Sequence, residues 1–158
     1  MDRFAYSTDN CSVRRTLDIV GEKWTLLVLR EVFFGVSRFD DFVELLDCSR
    51  PILSERLRKL VDHGLLRTVP YQEAGQRARV EYRLTEKGLD LLPPVLALMQ
   101  WGDRWTADKT GAAVEVVHRE CGSAVNVILQ CERHGRLGNR EVESRPGPGA
   151  LRRARSGQ

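Results

Sequence analysis

The sequence predicts a mainly α-helical chain with one β-hairpin and a small β-rich module near its C terminus. Apolar residues recur at spacings of three and four through residues 13–61, as on the buried face of amphipathic helices. Two stretches of strand length, 65–71 and 79–84, flank a polar turn. Beyond Gly111 the apolar residues fall instead into short strand-like runs, 114–117 and 125–129.

Three helices are predicted before the basic region of the chain. Val13, Leu17 and Val20, spaced by four and three, predict the first helix. Residues 24–34 are apolar on most of their circumference, which is typical of a centrally buried helix, and Gly35 ends this segment. A shorter third helix is predicted by an apolar face that consists of Phe39, Phe42, Val43, Leu45 and Leu46.

A fourth helix with a basic face is predicted from about residue 50 to residue 63. Ser49 suits the N-cap, Pro51 suits the first turn because its missing N–H costs nothing there, and Gly64 suits the position after the last turn. The buried side is predicted to consist of Leu53, Leu57, Leu60 and Val61. The opposite side presents Arg50, Ser54, Glu55, Arg58 and Lys59.

A hairpin and a long final helix complete this region. Residues 65–71 and 79–84 are the predicted strands, and the polar residues 72–78 form the tip. The final helix runs from Thr85 to about Trp105, and Pro93-Pro94 must kink or restart it, since an interior proline costs about 3 kcal/mol. Four helices, a hairpin and a long helix are the order of elements in a winged helix-turn-helix domain.

Bulk composition narrows the class of protein without deciding it. The net charge of +3 and the pI near 8.8 are only mildly basic, so the position of the arginines is more informative than their number. No apolar run reaches the length of a membrane span, and residues 1–10 do not resemble a signal peptide. We therefore expect a cytoplasmic protein whose four cysteines are thiols or metal ligands rather than disulfides.

The basic helix and the hairpin together predict binding to double-stranded DNA. In a helix-turn-helix, the N-terminal residues of the second helix reach base edges in the major groove. In this chain these residues are Ser49, Arg50, Pro51 and Ser54. Phosphate contacts are predicted for Arg58 and Lys59, and contacts to the minor groove or the backbone for Arg77 and Arg79. The alternative is that these side chains merely solvate an exposed surface.

A set of short motifs is distributed over residues 11–109. They are Cys11, the run from Gly21 to Arg30, Gly35, Arg38-Phe39, the run from Leu53 to Leu57, Leu60, Gly64-Leu65, the run from Val80 to Thr85, Gly88 and Trp101-Gly102. In these motifs the chain resembles the HxlR family of bacterial winged helix-turn-helix regulators. The resemblance implies a homodimer, with the first and the long final helix at the interface, on a roughly palindromic operator. A repressor is the leading hypothesis. The family commonly has prolines before Val80, and their absence here predicts a more flexible wing tip.

Cys11 and Cys48 are candidates for a redox role, which gives an alternative function. Cys11 lies where the family tends to carry a cysteine, at the positive end of the first helix and near Arg14 and Arg15, all of which favour a thiolate. Oxidation of Cys48, just before the basic helix, would move the DNA-reading surface. In this hypothesis a thiol senses an oxidant or electrophile, and DNA binding is the output. Regulation by a small-molecule effector is a further possibility. The alternative to a redox role is that both cysteines are small, partly buried side chains without a chemical role.

Two ligand pairs predict a zinc site between residues 110 and 144. His118 and Cys121 are separated by two residues, as are Cys131 and His134, and a glycine follows each pair. Four nitrogen and sulfur ligands without an open position suit a closed, structural zinc site in a zinc-ribbon-like module. Reduced thiols beside surface histidines are the alternative.

An enzyme is the third hypothesis, and the sequence argues against it. The triplet His118-Arg119-Glu120 is similar to the His-x-Glu of zinc deaminases, but Cys131 and His134 do not supply the Pro-Cys-x-x-Cys that accompanies it. The sequence also contains no Ser/His/Asp set and no phosphate-binding glycine loop.

The predicted organisation is a flexible N terminus (1–10), a DNA-binding and dimerisation domain (11–109), a zinc module (110–144) and a disordered basic tail (145–158).

Overall fold

The computed structural model describes residues 3–153, and these form two compact units. One unit spans residues 19–127, and the other combines the residues before 19 with those after 127. After a short 3₁₀ helix at Arg3–Ala5, the elements are α1 Ser12–Val20, α2 Lys23–Phe33, α3 Phe39–Leu45, α4 Arg50–Asp62, β1 Leu66–Tyr71, β2 Arg79–Leu84, α5 Glu86–Leu89, α6 Leu92–Trp105, β3 Leu129–Cys131 and β4 Gly135–Leu137. The four predicted helices and the hairpin are thus confirmed.

The core of the larger unit lies between α2, α3, α4 and the start of β1. Burial of each large apolar side chain here stabilises the fold by roughly 1.5–3 kcal/mol. The apolar side chains that are fully excluded from solvent in the described part of the chain are those of Val28, Leu29, Phe42, Leu53, Leu57 and Leu60. The apolar spacing in the sequence therefore identified the buried face of α4 correctly.

Local signals fix the ends of α4. Ser49 is the N-cap residue in an extended conformation, and Pro51 lies in the first turn, as predicted. The Ser49 side chain accepts no capping hydrogen bond from any residue in the described range. Gly64 follows the helix with a φ of +68°, a left-handed conformation that glycine adopts without the penalty of a Cβ atom.

The wing is an antiparallel hairpin that is anchored to the start of α3. Its register runs from Leu66 opposite Leu84 to Tyr71 opposite Arg79. The Tyr82 amide donates a hydrogen bond to the Ser37 carbonyl at 2.8 Å, next to an isolated bridge between Arg38 and Glu81. This third, single-bridge edge was not anticipated from the sequence, and it fixes the base of the wing beside the helix-turn-helix.

The predicted final helix is two helices. The Thr85 hydroxyl caps α5 by accepting from the Gly88 amide at 3.1 Å. The helical conformation is interrupted at Asp90-Leu91, and α6 begins at Leu92. Pro93 and Pro94 therefore fall in the first turn of α6, where an N–H is not needed. No helix in residues 3–153 has both the length and the apolar content that crossing a membrane requires.

Residues 106–127 are mostly irregular and are attached to α6. A bridge joins Val117 to Ala124, and the His118 amide donates to the Ser123 carbonyl at 2.8 Å. The Gln100 side chain donates to the Val125 carbonyl at 2.9 Å and accepts from the Val127 amide at 3.0 Å. Of the strands predicted at 114–117 and 125–129, the structure therefore retains a single bridge at Val117 and the residue Leu129, which begins β3.

The second unit contains a small sheet and a paired N terminus. Strands β3 and β4 are antiparallel, with Leu129 opposite Leu137. The Ser7 amide donates to the Leu151 carbonyl at 2.8 Å, and the Arg153 amide donates to the Ala5 carbonyl at 3.0 Å. The flexible N terminus (1–10) and disordered tail (145–158) expected from composition thus differ from the structure over 5–7 and 151–153, where backbone hydrogen bonds hold both segments. Residues 154–158 of the tail lie outside the described residues.

Candidate nucleic-acid interface

Helix α4 presents a polar face away from the core. Its buried residues lie on one side, and the side chains predicted to meet DNA lie on the other. Ser49, Arg50, Pro51, Ser54 and Arg58 are all exposed. The wing adds Arg77 at its tip and Arg79 at the start of β2, which are exposed as well. The structure therefore brings a helix N terminus and a basic hairpin to accessible positions in one unit.

A single carboxylate joins the helix to the wing. Asp40, in the first turn of α3, pairs through Oδ1 with Arg50 Nη2 at 3.0 Å and through Oδ2 with Arg79 Nη1 at 3.0 Å. The guanidinium of Arg50 also lies 5.5 Å from the centre of the Phe39 ring. The sequence alone does not reveal the role of Asp40, because its partners are 10 and 39 residues away along the chain.

Arg38 ties the wing tip to the N-cap of α3. It pairs with Glu73 at 2.7 Å and lies over the Tyr71 ring at 4.5 Å. The hydrogen bond that Glu73 accepts from it raises the pKa of Arg38 above its ordinary value. This anchor partly offsets the flexibility expected of a wing tip without prolines.

Lys59 and Arg58 differ in how accessible they are. Lys59 lies 3.4 Å from the Glu22 carboxylate, which also pairs with Arg56 and sits at the N-cap of α2. Its side chain is only 27% exposed, whereas Arg58 is exposed. Of the two phosphate contacts predicted from the sequence, Arg58 is thus the more available, and Lys59 is already engaged within the protein.

Comparisons with known proteins agree with this geometry. A profile of the family described as HxlR-like helix-turn-helix matches residues 19–110. The chain belongs to the HxlR-like family. One relative, the uncharacterised HTH-type transcriptional regulator Rv3095 of Mycobacterium tuberculosis, is 46% identical over 139 residues, which cover 87% of each chain.

Solved structures share the HxlR-like fold. PA1607, a proposed transcription factor, is 34% identical and superposes with a TM-score of 0.76 over 88% of this chain and 96% of its own. The reduced form of the redox regulator HypR is 32% identical, with a TM-score of 0.53 over 58% and 90% of the two chains. The predicted winged helix-turn-helix fold is confirmed, and the protein is a helix-turn-helix transcriptional regulator.

The two candidate redox cysteines of this HxlR-like chain have different surroundings. Cys11 is half-buried and directly precedes α1, where its carbonyl accepts from the Arg15 amide at 3.0 Å. Cys48 precedes α4, and its Sγ lies 3.7 Å from the Ser49 carbonyl oxygen. Burial raises the pKa of the Cys48 thiol, which lowers its thiolate fraction at neutral pH.

The two side chains of each predicted zinc-ligand pair lie close to each other. Cys121 Sγ lies 3.3 Å from His118 Nδ1, and Cys131 Sγ lies 3.5 Å from His134 Nδ1. Zinc bonds of about 2.0 Å to nitrogen and 2.3 Å to sulfur, at a tetrahedral angle, place two such ligands about 3.5 Å apart. Gly122 and Gly135, which follow the two pairs, have φ values of +68° and +67°, a left-handed conformation that glycine adopts without the penalty of a Cβ atom.

The donors of both pairs suit a metal, but the four-ligand set stays a prediction. The pKa of Cys121 is lowered by its hydrogen bonds with Ser123, and that of Cys131 by backbone hydrogen bonds from Arg133 and His134. Lowered values favour the thiolate that zinc requires. Among residues 3–153, no three His, Cys, Asp or Glu side chains gather in one metal-binding group, and the two pairs belong to different units.

A cleft of about 640 Å³ in the larger unit is available to a small molecule. It lies beside α2 and α6, and Arg30, Glu31, Phe34, Met99 and Asp103 are among its lining residues. The carboxylate of Glu31 accepts a hydrogen bond from Arg30 Nε at 2.8 Å. The wall therefore combines apolar and charged side chains, and two of the charged ones, Arg30 and Glu31, already pair with each other.

Proposed function

We propose that this HxlR-like regulator is a homodimeric repressor that binds a roughly palindromic operator in double-stranded DNA. The observation that carries the proposal is the exposure of the α4 N terminus beside a basic wing within one unit. An α-helix fits the major groove, where each base pair has a distinct pattern of donors and acceptors. Ser49, Arg50, Pro51 and Ser54 would reach bases there, and Arg58, Arg77 and Arg79 would contact phosphates or the minor groove.

Exposed apolar residues support the homodimer. On α6, Leu98, Trp101 and Trp105 are 56%, 61% and 63% exposed. On α1, Val13 and Leu17 are 66% and 54% exposed. Large apolar side chains clustered on one helix of a monomer usually mark an interaction surface. A two-fold dimer would place its two recognition helices in successive major grooves, about 34 Å apart.

Selection from a pool of random duplexes, followed by fluorescence anisotropy, tests this function. We expect an enriched palindrome that binds at least a hundredfold more tightly than a scrambled duplex at physiological salt. Arg50→Ala removes one base contact in each half-site of the palindrome, so it should lower affinity by about 5- to 150-fold per half-site. Failure of any sequence to enrich would reject sequence-specific binding.

A comparison of two basic residues tests the predicted orientation of α4. Arg58→Ala should weaken binding to every duplex and reduce the salt dependence by about one unit of slope. Lys59→Ala should have the smaller effect, because Glu22 already pairs with Lys59. Equal losses of DNA affinity for both variants would contradict an α4 that exposes Arg58 to DNA and holds Lys59 against Glu22.

Thiol sensing through Cys11 is a second proposed function. The position of Cys11 at the N terminus of α1 supports it, as does the similarity to HypR, a redox regulator. Oxidation should weaken operator binding by the wild-type protein and should not affect Cys11→Ser. If oxidants leave the DNA affinity of the wild-type protein unchanged, the proposal is rejected. The same titration of Cys48→Ser tests the secondary candidate.

We also propose that His118, Cys121, Cys131 and His134 bind structural zinc. Support comes from the short distance between the two side chains of each Cys–His pair and from the sequence spacing, which predicts that both pairs share one ion. Metal analysis should find one zinc per chain, and Co²⁺ substitution should give the spectrum of a tetrahedral S₂N₂ site. Cys121→Ser and Cys131→Ser should each lower the zinc content. Zinc retained in the double variant would contradict this ligand set.

A further inference from the structure

Asp40 forms ion pairs with two arginines to which the proposed function assigns DNA contacts. Its two carboxylate oxygens lie 3.0 Å from Arg50 and 3.0 Å from Arg79, and the three side chains are 53%, 62% and 53% exposed. Arg50 opens α4 and Arg79 opens β2, so that one residue of α3 links both DNA-reading elements. Because solvent reaches the whole bridge, a DNA phosphate can reach it too.

Each guanidinium uses only one of its terminal nitrogens on Asp40. The bridge engages Nη2 of Arg50 and Nη1 of Arg79. A guanidinium carries five N–H donors in a planar fork. The remaining donors of Arg50 therefore stay available to a base edge while the bridge is intact, and the Phe39 ring, 5.5 Å away, limits its swing on one side.

Binding to non-operator DNA makes the opposite demand. Non-specific affinity comes almost entirely from pairing of cations with phosphates, without fixed geometry. Carboxylates and phosphates recruit the same guanidinium donors. An arginine that gives its bridging nitrogen to a phosphate therefore loses its bond to Asp40, and the negative charge of Asp40 then faces the DNA without that partner.

We propose that Asp40 is a specificity-determining residue that restrains Arg50 and Arg79, penalises phosphate-only binding and orients Arg50 for a base in the operator. This inference rests on the proposed DNA-binding function. It assigns to an acidic residue, which lowers the overall attraction to DNA, a positive role in discrimination between sequences.

The variant Asp40→Asn in the full chain tests the inference, with Asp41→Asn as the matched control. Both residues are exposed in the first turn of α3, so that each substitution removes one negative charge and one favourable interaction with the helix N terminus. Asp41 forms no ion pair within 4.0 Å in the described part of the chain. Only Asp40→Asn removes the bridge.

Affinities for the selected operator and for a scrambled duplex are measured by anisotropy at several salt concentrations. Asp41→Asn should change both affinities by the same factor. Asp40→Asn should strengthen scrambled binding by roughly three- to tenfold, steepen its salt dependence by up to about one unit of slope, and leave operator binding unchanged or weaker. In the Arg50→Ala/Arg79→Ala background this excess over Asp41→Asn should disappear.

Two results separate the failure of this inference from the failure of the proposed function. If the wild-type protein discriminates between the two duplexes and Asp40→Asn merely follows Asp41→Asn, only the role of Asp40 is overturned. If the wild-type protein enriches no sequence, DNA recognition itself is rejected, and the role of Asp40 is rejected with it. Thermal unfolding of each variant checks that the fold is intact.

Discussion

Substitution of Gly88 by alanine should destabilise the domain, although alanine is the better helix former. Gly88 is buried in α5, and a Cβ atom there would lie 2.1 Å from the Leu65 carbonyl oxygen, far inside van der Waals contact. That carbonyl also accepts from the Thr85 amide at 3.1 Å and from the Thr85 hydroxyl at 3.2 Å. The clash is with backbone, so a side-chain rotation cannot relieve it.

The magnitude follows from three contributions. Overpacking costs about 1–3 kcal/mol. A lost hydrogen bond to Leu65 adds about 0.5–1.5 kcal/mol. The higher helix propensity of alanine returns up to about 1 kcal/mol. We therefore expect Gly88→Ala to lower the free energy of unfolding by about 0.5–4.5 kcal/mol, measured by urea denaturation with circular dichroism at a fixed protein concentration.

Gly102→Ala is the matched control within the same chain. Gly102 lies inside α6, and a Cβ atom there would meet Thr106 Oγ1 at 3.5 Å, an ordinary contact. The gain in helix propensity should then dominate and stabilise the protein by up to about 1 kcal/mol. If Gly88→Ala were as stable as Gly102→Ala, the close approach of α5 to the α4–β1 junction would be refuted.

Three further outcomes follow from burial. Leu57→Ala should lower the free energy of unfolding by about 2–5 kcal/mol in urea, whereas Leu45→Ala should cost under about 0.5 kcal/mol, since Leu57 is 0% and Leu45 58% exposed. Because burial raises the pKa of Tyr82, stability present below the unfolded value near 10 should be lost as pH rises through the folded pKa, and Tyr82→Phe should reduce that loss. The raised pKa of Cys48 should make alkylation of this thiol by iodoacetamide at pH 7 slower than that of a model cysteine peptide.

Each outcome has a result that contradicts it. Similar losses for Leu57→Ala and Leu45→Ala would show that α4 does not bury the assigned face. Identical alkaline unfolding of the wild-type protein and Tyr82→Phe would remove Tyr82 from the cause. Alkylation of Cys48 at the peptide rate would show that its surroundings do not suppress the thiolate.

The features that the sequence predicted well are those with local causes. Ser49, Pro51 and Gly64 lie within the segment whose ends they mark, and the apolar spacing through Leu57 acts over single helical turns. The same locality applies to each Cys–His pair, whose members are separated by two residues and lie within 3.5 Å of each other, whereas the zinc site itself stays a prediction. The break before Leu92 was foreseen from the prolines, although the choice between a kink and a restart depends on tertiary packing.

The features that the sequence did not reveal depend on distant parts of the chain. Asp40 meets Arg79 across 39 residues, and Lys59 meets Glu22 across 37. A basic residue in a helical pattern does not disclose whether its charge is already neutralised, which is why Lys59 was ranked with Arg58. Similarly, the pairing of residues 5–7 with 151–153 uses backbone groups, which every sequence carries, so composition alone predicted disorder.

The two hydrogen bonds of Gln100 have a consequence for the exposed backbone after residue 124. One amide side chain supplies a donor and an acceptor, as a neighbouring strand would, to groups of Val125 and Val127. An open strand edge is a template for pairing with other chains, and proteins protect such edges in many ways. Residues 125–127 are not in a strand, but the Gln100 side chain occupies two backbone groups there that could pair in the same way. Gln100→Glu keeps an acceptor but has no donor for the Val125 carbonyl, so it would leave that carbonyl free to recruit a foreign strand and expose the regulator to aggregation.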